Sequence, residues 1–104
     1  MANKQELIHF LEQHVFNPIL NASPDRYSEA DQHRLKDVQD RTNSEKERFH
    51  RYSSAREVID NYNSDLHSST AKRVNRELEK LKLPTLPSVK DDFLKLAGEE
   101  HNHK

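Results

Sequence analysis

Apolar positions recur at helical spacing along almost the whole chain, and no segment alternates polar and apolar residues with the period of a strand. Leu7, Ile8, Leu11 and Val15 share one helical face with Phe10 on its flank, which predicts a first helix over 3–17. Pro18 disfavours helix at Asn17 and sets the expected end. Ile19 and Leu20 then form an apolar tail before the turn-rich connector Asn21-Ala22-Ser23-Pro24-Asp25.

The stretch from Ser28 to Leu66 holds neither glycine nor proline. Whether it is one helix or two decides the architecture. Wound as a straight helix, it gathers Leu35, Val38, Phe49 and Tyr52 around one direction, and Ala55, Val58, Ile59, Tyr62 and Leu66 around another about 110° away. Supercoiling drifts an apolar seam by only about 20° per heptad, too slowly to join the two clusters. A break between Tyr52 and Ala55 removes the conflict. Ser54-Ala55-Arg56-Glu57 has the form of a capping box there, preferred over the rival boxes Thr42-to-Glu45 and Ser44-to-Glu47, which lie where the apolar phase is preserved. Helices are therefore expected over 28–52 and 54–66.

Ser69 or Thr70 is the expected start of a helix over 69–83, with the apolar row Ala71, Val74, Leu78 and Leu81. Pro84 and Pro87 bracket an extended connector, and Ser88 with Asp91 resembles a capping box for a short last helix, 88–97, which Gly98 is placed to end. The sum is an all-α fold, a small bundle of four to five helices in one domain spanning 1–104, with a frayed tail at 99–104.

Composition changes this picture in four ways. Only 32% of the residues are hydrophobic and 34% are charged, so the core is thin, and help from a partner or a second copy is plausible. The net charge of -1 supplies no global attraction to nucleic acid or anionic membrane. The single glycine excludes the phosphate-cradling, dinucleotide-binding and nucleophile-elbow turns in their usual form, all of which need glycine where the backbone bends or closely approaches a ligand. The absence of cysteine excludes disulfides and thiolate chemistry and accords with a reducing cytoplasm, the expected location. No signal-peptide pattern and no apolar run of spanning length is present, so no membrane association is expected.

Candidate chemistry is sparse. Glu6…His9 and Glu47…His50 have the Glu-x-x-His spacing of carboxylate-bridged dimetal bundles, yet the helical period turns both histidines away from the apolar faces, so a metal-binding bundle is the least favoured alternative and no metal ligand is assigned. His14 lies at the edge of the first apolar face, and His101-Asn102-His103 suits weak metal binding or, more simply, a solvated tail. Arg48-Phe49-His50-Arg51-Tyr52 interleaves bases and aromatics, but Phe49 and Tyr52 belong to the core face, leaving the arginines to pair with Glu45, Glu47 or Asp60. The clearest charge feature is the face formed by Lys72, Arg73, Arg76 and Lys80, opposite the apolar row of the 69–83 helix. It is the candidate surface for a partner or for nucleic acid, although no aromatic side chain is interleaved to stack on bases.

The expected function is a protein–protein interaction or regulatory module, acting on a protein partner or as a homodimer, with no cofactor. Catalysis is undecided but disfavoured, since seven histidines and eighteen acids form no recognisable constellation. The alternative is a nucleic-acid-associated protein using the basic face.

Overall fold

The computed structural model describes residues 2–98 as five helices with no strand among them. Helix α1 runs without interruption through Lys4–Leu11, a π-helical turn Glu12–Phe16 and Asn17–Leu20. Helices α2 (Glu29–His50), α3 (Ala55–His67), α4 (Ser69–Lys80) and α5 (Lys90–Ala97) follow. The expected all-α bundle is the fold.

Helix α1 begins at a reciprocal capping box that the sequence reading missed: Asn3 Oδ1 accepts from the Glu6 N–H at 2.8 Å and Glu6 Oε1 accepts from the Asn3 N–H at 3.0 Å. The expected end near Asn17 is wrong. Asn17 stays helical at φ −68°, ψ −40°, and its N–H reaches back five residues to the Glu12 carbonyl. Pro18 lacks an N–H and crowds the carbonyl four residues before it, and the widened π turn relieves both problems. The helix continues, so Val15, Phe16 and Ile19 are all buried.

Helix α2 is capped by Ser28, whose Oγ accepts from the Asp31 N–H at 3.2 Å. It ends at His50, and Ser54 is extended at φ −153°, ψ 162°. The long stretch is therefore two helices, broken where the apolar phase demanded. Ser54 Oγ caps α3 by accepting from the Glu57 N–H at 3.1 Å, but the reciprocal half is shifted. The Glu57 carboxylate accepts from both the N–H and the hydroxyl of Ser53, at 2.8 Å each, which holds its pKa below the ordinary value.

Two further expectations move by a few residues. Helix α4 starts at Ser69 as expected, capped by Ser68 through a 2.9 Å bond from the Ala71 N–H, because Ser68 is the residue with extended backbone where α3 ends. It stops at Lys80, not Leu83: the Lys82 N–H bonds Glu79 O and the Leu83 N–H bonds Leu78 O, both at 3.0 Å, with Lys82 left-handed at φ 61°. Before α5, Ser88 pairs back with Thr85 instead of capping toward Asp91; its hydroxyl donates to Thr85 O at 2.7 Å and the Thr85 hydroxyl accepts from the Ser88 N–H at 3.2 Å. Gly98 ends α5 in the left-handed region at φ 78°. The expected frayed tail lies outside the described residues.

Helix α1 packs against α2, α3 and α5, while α4 packs against α2 and α3. Phe49 of α2 is fully buried, meeting Phe16 edge-on at 5.7 Å and Tyr52 at 5.0 Å between ring centres. Tyr62 of α3 stacks on Phe93 of α5 at 4.0 Å and donates its hydroxyl to Leu86 O at 2.6 Å. Gln39 satisfies the open carbonyls at the end of α1, donating to Ile19 O at 3.0 Å and Ala22 O at 3.2 Å. Phe49, Tyr62 and Phe93 are buried within a single copy, whereas Tyr27 and Tyr52 are half-buried against the core. Among the described residues no helix is long and apolar enough to cross a membrane.

Two substitutions test the helix ends by urea unfolding. Ser54→Ala removes the α3 cap and lowers stability by about 1 kcal/mol. Lys82→Gly relieves a left-handed residue bearing a Cβ and raises stability by about 0.5–1 kcal/mol. Equal stability of Lys82→Gly and Lys82→Ala would show that this backbone is unstrained.

Candidate functional site

Along α2 and just past its end, one row of buried or half-buried side chains falls at 35, 38, 42, 45, 49 and 52, alternating steps of three and four, with Asp31, Arg34, Gln39 and Lys46 half-buried beside it. Leu35, Val38, Phe49 and Tyr52 are the apolar members, and Thr42 and Glu45 fill the two places between them. Where the stripe turns polar, the bundle does not close. An open groove of about 530 Å³ lies there between α2 and α4. Val15, Phe16 and Ile19 of α1 contribute its floor, with Val74 and Leu78 of α4 and Leu86 from the connector. Charged groups along it are Asp40, Arg41, Glu45 and Arg48 from α2 and Asp65 from α3, and the hydroxyls of Ser68 and Thr70 lie at the start of α4.

Glu45, Arg48 and Asp65 form the polar centre. Arg48 Nη2 donates to Asp65 Oδ2 at 2.7 Å and to Glu45 Oε2 at 3.2 Å. Its guanidinium also sits 5.5 Å from the centre of the Phe49 ring. Burial pushes the Glu45 pKa up to about 8; hydrogen bonding to Asp65 and the charge of Asp65 push the same way, and Arg48 opposes them. The Tyr52 hydroxyl is buried nearby without a hydrogen-bond partner among the described residues, and its pKa is raised chiefly by burial.

The residues singled out from sequence are placed as follows. Lys72, Arg73, Arg76 and Lys80 are all exposed on α4 and none lines the groove, although Arg73 borders a smaller cavity between α2 and α4 that shares Arg41 and Val74 with it. Among the described residues only Lys80 of the four makes an ion pair, with Glu77 at 3.5 Å, and Glu77 is itself held by Arg34. His9, His14 and His50 are exposed. Glu6 is occupied in the cap of α1, Glu47 is exposed, and His50 Nε2 meets Glu12 Oε2 at 2.5 Å, so the two Glu-x-x-His pairs do not converge. The His14 ring packs 4.5 Å from that of Phe10. No group of three histidine, aspartate or glutamate side chains able to hold a metal gathers among the described residues, and His101 and His103 lie outside them. Arg48 does pair with Glu45 as expected, but its shorter bond goes to Asp65, seventeen residues away, which the sequence reading did not connect. The missed signal was periodic: 42 and 45 complete the spacing from Val38 to Phe49.

The chain matches no family model, and no curated protein and no solved structure matches it.

The raised Glu45 pKa predicts how stability depends on pH. Between about 4.5 and 8 the unfolded chain has released this proton and the folded chain still holds it. Stability therefore falls as pH rises through that window, by up to about 1.4 kcal/mol per pH unit, and this contribution levels off above it. Glu45→Gln removes that fall and is more stable than the parent at pH 8, which urea unfolding at pH 5, 6.5, 8 and 9 measures.

Proposed function

We propose that this chain is a non-catalytic protein-interaction module whose working surface is the groove between α2 and α4. The observation that carries the proposal is an open groove with an apolar floor in a molecule that otherwise buries its large apolar side chains: among the described residues only Leu96 is exposed, at 37%. A partner segment laying apolar side chains on Phe16, Val74 and Leu78 covers that floor, as helix-groove recognition does elsewhere. The polar groups at the rim engage one another, which suits orientation of a bound segment better than turnover. The cysteine-free chain fits a reducing compartment, and we take the cytoplasm as its place of work.

The basic face of α4 supports nucleic acid as the second candidate partner. Lys72, Arg73 and Arg76 are exposed and make no ion pair among the described residues, so they are available to phosphates. Because none of the four cations lines the groove, the two proposals separate by mutation. Val74→Glu places a charge on the groove wall, and the double variant Lys72→Glu, Arg76→Glu reverses the stripe. In quantitative affinity capture from cell extract, partners are lost from Val74→Glu and retained by the stripe variant, with circular dichroism confirming that both are folded. Loss only from the stripe variant, abolished by nuclease or by 0.5 M salt, would instead identify nucleic acid. Sedimentation of the same proteins distinguishes a second copy in the groove, since Val74→Glu would then dissociate a dimer.

A further inference from the structure

At the rim of the groove two carboxylates meet one guanidinium. Arg48 reaches Asp65 at 2.7 Å and Glu45 at 3.2 Å from the same Nη2, and a single positive charge cannot balance two negative ones. Both carboxylates are largely withdrawn from water, with the side chains 27% exposed at Glu45 and 18% at Asp65. A surplus negative charge at such a position must be neutralised by a proton or by another cation. The rest of the groove does not supply the cation. Of its other charged residues, Asp40 pairs with Lys36 at 3.8 Å and Arg41 makes no ion pair among the described residues, so neither Glu45 nor Asp65 gains a second cation. Helices α1 and α4 bring only uncharged side chains to the groove, among them Phe16, Ser68 and Val74. The Tyr52 hydroxyl, without a hydrogen-bond partner among the described residues, adds a buried polar atom close enough to sense Arg48, Asp65 and Glu45.

Resting on the groove as the partner-binding surface, we propose that its partner is anchored by a lysine-type alkylammonium, which lays its methylene stem on the apolar floor and supplies the second positive charge that Glu45 and Asp65 lack. The charge balances on both sides of the exchange. Before binding, the two carboxylates carry one proton between them against the single positive charge of Arg48, for a net charge of zero. After binding, both carboxylates are ionised against two cations, again net zero, and the proton leaves to solvent. The partner is thereby required to be amphipathic and cationic, and its affinity is tied to pH. A neutral apolar segment gains the floor but leaves the proton in place.

Three small probes on the isotope-labelled full chain test this by NMR titration: hexylammonium, hexanol and hexanoate. Hexylammonium shifts the amides of Arg48, Val74 and Leu78, and its dissociation constant falls about tenfold per pH unit between pH 6 and 7.5, where binding releases a proton. Hexanol shifts the Val74 and Leu78 amides with an affinity independent of pH, and hexanoate binds more weakly than either. In Glu45→Gln the advantage of hexylammonium over hexanol disappears. Equal, pH-independent affinities for hexylammonium and hexanol at the groove overturn the cationic anchor while leaving the groove as an apolar docking surface. A pH-independent preference for hexylammonium overturns the proton exchange. Shifts at the groove from none of the probes overturn the groove proposal as well. The comparison between probes is made on the unmodified protein, so it stands even if the variant does not fold.

Discussion

The stripe along α2 is the constraint on which the rest of the structure depends. Its members step by three and four from Leu35 to Phe49, so they stay in register on one side of a 22-residue helix, and Tyr52 continues the row just past its end. Phe49 is fully buried, its ring meeting those of Phe16 and Tyr52. One and two turns toward the N-terminus the same stripe carries Glu45 and Thr42. A carboxyl cannot be sealed against Val15 and Leu78 without losing hydration, and in this molecule that part of the interface remains an open groove instead. Packing and site are thus two stretches of one periodic row, differing only in side-chain chemistry.

Helix ends are governed by a second, local constraint. Four backbone N–H groups at each helix start need acceptors, and serine doublets offer two hydroxyls for the purpose. Which hydroxyl caps depends on which residue can adopt extended backbone at the junction. At Ser53-Ser54 the cap is Ser54, while Ser53 captures the Glu57 carboxylate. At Ser68-Ser69 the cap is Ser68, because α3 runs to His67 and leaves no room for a longer linker. At the end of α1 the competition is different: burial of Phe16 and Ile19 accompanies continuation of the helix past Pro18, and the π turn is the accommodation.

Charge is distributed in a way that composition concealed. A net charge of -1 averages an exposed basic face on α4 with an acid-rich groove between α2 and α4. None of the four cations lines the groove, although Arg73 borders the smaller cavity beside it. The triad of Glu45, Arg48 and Asp65 also ties the C-terminal half of α2 to the end of α3, across the turn that separates them. Titration at Glu45 therefore acts on the elbow between these helices as well as on the groove.

What the amino-acid order determined by itself was periodic and local. The helical class, the break at Ser53-Ser54, the burial of Phe49, Tyr62 and Phe93, the exposure of the α4 cations and the end at Gly98 follow from the 3.6-residue period and from glycine's tolerance of positive φ. What only the tertiary structure decided was every feature that joins residues distant in the chain. Arg48 meets Asp65, seventeen positions on; Gln39 caps carbonyls near residues 19–22; α1 passes through Pro18; and Val74 faces Phe16 across an opening. Period and propensity assign a side chain to a face of its own helix. They do not say which other face it meets, because that depends on crossing angles and on how well two surfaces interlock. Glu45 shows the difference most plainly: its place on the buried side of α2 was written in the spacing from Val38 to Phe49, but the carboxylate that joins it on Arg48 came from another helix.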